Sequence, residues 1–272
     1  LPLDLTPSDH MPSRTPPFHR HLPALIALAT VLVAPNHFGS PPSSELGFVQ
    51  VTGTSLDALR RNSLAAAWED YDGNGRPDLF IAADDSGGGE LHQNLPGGFV
   101  RITTGAAVNS AFRRTAAAWG DWDNDGDPDL FVSANSSSPA RLYRNLQGGL
   151  LAAHVGNPSA HVALSLSALW LDADSDGFLD LFVANGGGGR AEANQLYRNN
   201  RDGTFTALDA GSLTSDSEYS QGSTAADYDG DGDLDVLVIN LFGPLALYRN
   251  QGLGVFVRTT SGEVGGSSVT PQ

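Results

Sequence analysis

The 272-residue chain contains no cysteine, and all 15 of its basic residues are arginine, so lysine is absent as well. Without cysteine there are no disulfides and no thiolate metal sites, and thiol usage says nothing about the redox compartment. Long helices are also missing from the pattern: no segment sustains an apolar period of 3.6 residues, and 32 Gly and 16 Pro would interrupt one. A membrane span is lacking too, because the apolar stretch Leu22 to Ala34 is only 13 residues long, against the roughly 20 that a bilayer core requires. That stretch follows Met11, Arg14, His19 and Arg20 and precedes Pro35, which is the order of a secretory signal. Residues 1–46 therefore read as a leader with a signal peptide and a Pro/Ser-rich linker, and the mature protein as secreted, extracellular or periplasmic, with no transmembrane segment.

The formal charge of -16 is not spread evenly: 17 of the 31 acidic residues fall in four windows, 70–78, 121–129, 172–180 and 227–235. Of the 15 arginines, 14 lie outside these windows, so the remainder of the chain is close to neutral. Concentrated like charge repels itself unless a cation is bound. Its sign also argues against a nucleic-acid partner, whose phosphates need basic surface.

What the chain does contain is a repeat. The segments 65–82, 116–133, 167–184 and 223–239 align on their first loop aspartates, Asp70, Asp121, Asp172 and Asp227, with spacings of 51, 51 and 55. Each copy goes on to LHQN or LYRN (91–94, 142–145, 196–199, 247–250), then to a Gly followed by a bulky apolar residue at Phe99, Leu150, Phe205 or Phe256. A further copy of this last element, GFVQVT, stands at 47–52, before the first window. Four short strand-like segments in about 50 residues make one propeller blade. The small residues ahead of each window (Ala65 to Ala67, Ala116 to Ala118, Ser167 and Ala168, Thr224 to Ala226) suit an innermost strand, while Trp68, Trp119 and Trp170 would fill the space between blades. Ala225 stands where the fourth Trp would be, so looser packing is expected there. The expected fold is all-β: propeller blades over residues 47–258, followed by a linker at 259–272. Five copies of the last strand for four Asp windows predict an open arc with apolar faces at both ends. The Gly-rich insert 185–194, which lengthens the third repeat, reads as a tolerated surface loop.

The windows DYDGNGRPD, DWDNDGDPD, DADSDGFLD and DYDGDGDLD share D-x-D-x-[DN]-G-x-x-D. Calcium takes six to eight oxygen ligands, and a tight loop presents alternate side chains to it. Gly75, Gly126, Gly177 and Gly232 at position 6 allow the backbone reversal, and position 7 varies freely because only its carbonyl would be used. An EF-hand would need Glu at position 12, where this chain has Ile81, Val132, Val183 and Val238. Zinc is disfavoured because no His or Cys joins the windows, and magnesium because an all-protein oxygen cage suits the larger ion.

With these loops set between strands and followed by LYRN and G-x-F elements, residues 47–258 resemble the FG-GAP/VCBS repeats that build integrin-α-like calcium-binding propellers. The resemblance implies up to four Ca²⁺ ions. Their ligands would be Asp70, Asp72, Asn74, Arg76 (backbone) and Asp78; Asp121, Asp123, Asp125, Asp127 (backbone) and Asp129; Asp172, Asp174, Asp176, Phe178 (backbone) and Asp180; and Asp227, Asp229, Asp231, Asp233 (backbone) and Asp235. It also implies a non-catalytic scaffold for adhesion or for binding protein or carbohydrate. The alternatives are the accessory propeller of a secreted polysaccharide-degrading enzyme, or a lectin. No catalytic constellation stands outside the loops: there is no G-x-S-x-G elbow, and His92, His154 and His161 occur singly at unrelated repeat positions, as packing or surface residues.

Overall fold

The computed structural model describes residues 50–259, apart from positions 51, 59–61, 86–88, 109–111, 136–137, 154–157, 159–162 and 188–189. The expected leader, the strand copy at Phe48, His154, His161 and the segment after Thr259 lie outside the described residues.

Each repeat forms one antiparallel four-stranded sheet. The first comprises β1 (Ser63–Glu69), β2 (Asp78–Ala83), β3 (Glu90–Leu95) and β4 (Gly98–Ile102), and the second β5 (Arg114–Gly120), β6 (Asp129–Ala134), β7 (Arg141–Leu146) and β8 (Gly149–Ala153). In the third, β9 (Ser165–Leu171) and β10 (Asp180–Asn185) are followed by the two-residue β11 (Glu192–Ala193) and then by β12 (Gln195–Asn199) and β13 (Phe205–Leu208). A single helical turn, α1 (Ser212–Ser215), and β14 (Ser217–Glu218) lead to the fourth sheet: β15 (Ser220–Ala226), β16 (Asp235–Asn240), β17 (Ala246–Asn250) and β18 (Phe256–Arg258). Every Asp window is the turn of a first hairpin, closed by the pairs Glu69 with Asp78, Gly120 with Asp129, Leu171 with Asp180 and Ala226 with Asp235.

The innermost strands pack in series, β1 on β5, β5 on β9 and β9 on β15. Their small side chains permit this close approach, and hydroxyls tie them together: Ser167 Oγ lies 2.9 Å from Ser223 Oγ, and Thr115 Oγ1 donates to the Ser165 carbonyl at 2.6 Å. Outward, alternate residues of each second strand face neighbouring blades. Phe80 and Ala82 of β2 pack on Leu130, Val132 and Tyr143; Phe131 packs with Leu181, Val183 and Tyr197; and Phe182 packs with Val236, Val238 and Tyr248. Each buried Phe contributes about 1.5–3 kcal/mol. Trp119 and Trp170 sit at these junctions and donate Nε1–H to the Ala67 and Ala118 carbonyls of the preceding inner strand, at 3.3 and 3.2 Å.

Three details add to or differ from the sequence reading. At the third junction, where Ala225 replaces Trp, Leu213 of α1 is buried in the same cluster as Ala225 and Val236. The Gly-rich insert is tied down: β11 pairs with β14, and Gly186, at φ 128°, passes so close to Glu218 that a Cβ would lie 2.5 Å from its carbonyl oxygen. Apolar exposure also falls mainly on one end. No strand of the first blade pairs with one of the fourth among the described residues. Ile239 is 46% exposed on the side of β16 that none of the described blades covers, where its register equivalents Ala82, Ser133 and Ala184 are 0% exposed under a following blade. The outward Leu79, Ile81 and Phe99 of the first blade are instead buried, packed with Trp68 and with Leu56 from the 3-10 turn Ser55–Ala58.

Candidate metal centre

The four hairpin turns share one construction. At position 1, Asp70, Asp121, Asp172 and Asp227 turn their oxygens back on the loop. One accepts the N–H of position 5 at 2.9–3.1 Å, and the other the N–H of the position 6 glycine at 2.7–3.1 Å. Those glycines have φ of 83° to 98°, the left-handed region that disfavours a side chain. At position 5, Asn74, Asp125, Asp176 and Asp231 accept the N–H of position 7 at 2.9–3.0 Å.

Position 9 is the buried member. Asp78, Asp129, Asp180 and Asp235 are fully enclosed, and in each Oδ1 accepts the backbone N–H of the asparagine that ends LHQN or LYRN: Asn94, Asn145, Asn199 or Asn250, at 2.7–2.8 Å. In the last three loops Oδ2 accepts the N–H of position 2, from Trp122, Ala173 and Tyr228 at 3.1–3.2 Å.

Carboxylate oxygens of positions 1, 3 and 9 come within 4.8 Å of one another in every loop: Asp70, Asp72 and Asp78; Asp121, Asp123 and Asp129; Asp172, Asp174 and Asp180; Asp227, Asp229 and Asp235. In the last three loops the position 5 aspartate stands outside the trio, engaged with the loop backbone and with arginine. Burial raises Asp129 to about 8, Asp180 to about 7 and Asp78 to about 6; neighbouring loop carboxylates push the same way, while the asparagine N–H bonds pull back. Asp78 Oδ2, Asp123 Oδ1 and Asp174 Oδ1 are buried oxygens with no hydrogen-bond partner. Hard oxygens gathered in threes, with one left unsatisfied in each of the first three loops, fit a divalent cation of the calcium type.

Two sets of residues around the loops have roles that the sequence reading did not assign, although LYRN was visible as a landmark. Its arginine lies over the carboxylates of positions 3 and 5. Arg144 meets Asp123 at 2.5 Å and Asp125 at 2.9 Å, Arg198 meets Asp174 at 2.9 Å, and Arg249 meets Asp229 at 2.5 Å and Asp231 at 3.2 Å. In the first blade Gln93 takes this place and bonds to Asp72. The asparagine side chain reaches the preceding blade: Asn145 Nδ2 donates to the Tyr71 carbonyl, Asn199 to Trp122 and Asn250 to Ala173, at 2.7–2.8 Å. An asparagine recurring 15 to 19 residues after each window was the available signal; its partners, 74 to 77 residues away, were not.

His92, at the register position of the LYRN tyrosine, is buried between Ser55 Oγ (2.7 Å from Nδ1) and Glu90 (3.1 Å from Nε2). Burial lowers its pKa, although Glu90 opposes the shift. The backbone N–H groups of Gly53 and Thr54 beside Ser55 bond to the Asp57 side chain, so the arrangement pins the 3-10 turn to the blade.

A model described as an FG-GAP-like repeat matches residues 70–132, 172–238 and 227–271. Cartilage acidic protein 1 of Homo sapiens is 26% identical over 187 residues, covering 64% of this chain, and the Mus musculus protein is also 26% identical. The chain spans only 28% and 29% of the length of these two relatives. Among solved structures, an Agrocybe aegerita lectin that recognises non-reducing terminal N-acetylglucosamine aligns at TM-score 0.47 and 20% identity, over 73% of this chain and 52% of the lectin. The V. cholerae biofilm matrix protein Bap1 aligns at TM-score 0.38 and 18% identity, over 72% of this chain and 30% of its own.

Proposed function

This chain belongs to the FG-GAP-like repeat family, and we propose that it is a calcium-loaded, extracellular, non-catalytic β-propeller scaffold that presents a binding surface for protein or carbohydrate. The observation that carries the reading is the recurrence of one turn four times on one side of the arc, each with three converging carboxylates and a buried acid at position 9. A cation would offset the repulsion within each trio and fix the turn between first and second strands. Positions 1, 3 and 9 would supply carboxylates and position 7 a carbonyl, and the arginine over positions 3 and 5 would hold the outer oxygens away from solvent. Calcium modules in extracellular settings bind with Kd on the order of 10⁻⁴–10⁻³ M, matched to the high free calcium outside cells. An extracellular setting is supported by the signal-like run at Leu22 to Ala34 and by the cartilage for which the curated relatives are named. The test is calorimetric titration of EGTA-stripped protein. About four calcium ions and no saturable zinc site are expected; a protein that binds no calcium at millimolar concentration would overturn the reading. Immobilised glycan and matrix-protein arrays, probed with calcium and with EGTA, then separate carbohydrate from protein ligands.

A further inference from the structure

The loops are not independent modules. One hydrogen-bonded series runs through all four of them, made of position 9 carboxylates, LYRN asparagines and position 2 peptides. From the fourth blade, Asp235 Oδ1 accepts the Asn250 N–H at 2.8 Å, and Asn250 Nδ2 donates to the Ala173 carbonyl at 2.8 Å. The N–H of that same residue, Ala173, donates to Asp180 Oδ2 at 3.1 Å, and Asp180 Oδ1 accepts the Asn199 N–H at 2.8 Å. Asn199 Nδ2 donates to the Trp122 carbonyl at 2.7 Å, the Trp122 N–H to Asp129 Oδ2 at 3.2 Å, and the Asn145 N–H to Asp129 Oδ1 at 2.7 Å. The series ends where Asn145 Nδ2 donates to the Tyr71 carbonyl at 2.7 Å in the first loop. The carboxylates and amides that compose it are buried, so water offers these groups little alternative partnership. Two direct contacts run alongside: Asn124 Nδ2 donates to the Gly177 carbonyl at 3.1 Å, and Ser175 Oγ to Asp233 Oδ1 at 2.9 Å.

We propose that Asn145, Asn199 and Asn250 are positioning residues that couple each cation loop to the loop of the preceding blade, so that filling one raises the affinity of its neighbour. This rests on the reading of the loops as calcium sites. Each asparagine holds a cation-facing carboxylate of its own loop by its backbone and, by its side chain, a peptide that lies between positions 1 and 3 of the loop before. Drawing Asp180 onto an ion orders Asn199, and Asn199 then fixes the Trp122 peptide, which joins Asp121 to Asp123. The second ion meets a loop whose ordering has already been done, which is positive cooperativity.

The experiment uses the full chain with Asp70→Ala and Asp227→Ala, which leaves the second and third loops to bind. In calorimetric titration with calcium alone, filling one loop is expected to raise the intrinsic affinity of the other about 5-fold or more, the lower end of ordinary allosteric coupling. Adding Asn199→Ala should reduce this ratio to that of two independent sites while both still bind. A junction filled merely for packing would lower stability without altering the ratio. Should Asn199→Ala fail to fold, a second pair decides: with Asp121→Ala and Asp172→Ala leaving the first and fourth loops, cooperativity should fall below that of the adjacent pair. Independent binding in the adjacent pair, cooperativity that survives Asn199→Ala, or equal cooperativity in near and far pairs overturns the coupling. Absence of any binding overturns the calcium reading instead, so the two failures are distinct.

Discussion

Replacing Asp129 by asparagine separates the metal role of the position 9 acid from its structural one. The amide introduced by Asp129→Asn would keep an oxygen for the Asn145 N–H but would present its NH₂ to the Trp122 N–H, which now donates to Asp129 Oδ2 at 3.2 Å. Losing that bond costs about 1 kcal/mol. The charge itself costs little in the empty loop, because burial raises Asp129 to about 8 and leaves it largely protonated at neutral pH. With calcium the balance changes: a site filled at 100 times its Kd adds about 2.7 kcal/mol to folding, and a variant that cannot bind forgoes it. For a body of this size about 1 kcal/mol moves Tm by roughly 2–4 °C. Thermal melts of Asp129→Asn should therefore fall by about 2–4 °C in EGTA and by a further ~5–11 °C in saturating calcium. Equal losses in the two conditions would show that Asp129 is only a hydrogen-bond acceptor of the hairpin, and the reasoning would fail.

In EGTA, stability should decrease as pH rises. The folded empty loops keep protons on Asp78, Asp180 and Asp129 up to about 6, 7 and 8, whereas ordinary aspartate has lost them near 3.8, so this contribution is complete below that value and is lost on passing through 6 to 8. Calcium displaces those protons, so its affinity should increase over the same interval; calorimetry in buffers of different ionisation enthalpy reads the proton release. The first loop, with neutral Asn74 and the opposing charge of Arg76, should be the weakest site, so Asp235→Ala should cost more total calcium affinity than Asp78→Ala. Arg144→Gln, which installs the residue of the first blade at the half-exposed pair with Asp123 and Asp125, should lower Tm by about 2–4 °C or less in EGTA. Ile239→Arg should reduce self-association in sedimentation if the side of β16 that carries Ile239 is what associates.

Sequence alone was enough for everything that is local and periodic. A carboxylate at alternate positions around a glycine turn, small residues before it and a β-branched or aromatic strand after it are properties of single hairpins, and they recur every 51 to 55 residues. That is why the blades, their strand order and the four windows were legible without coordinates. Tertiary structure decided whatever passes between hairpins. LYRN was visible as a landmark, but the stacking of one blade on the next brings Asn145 to Tyr71, Asn199 to Trp122 and Asn250 to Ala173, and no local pattern encodes a contact 74 to 77 residues away. The pinning of the Gly-rich insert by β14 and the burial of His92 with Ser55 and Glu90 belong to the same class. So does the exposure of Ile239, because the burial of an alternating strand face depends on whether a blade lies against it, and in the fourth blade none of the described residues does so as blades two to four do for those before them.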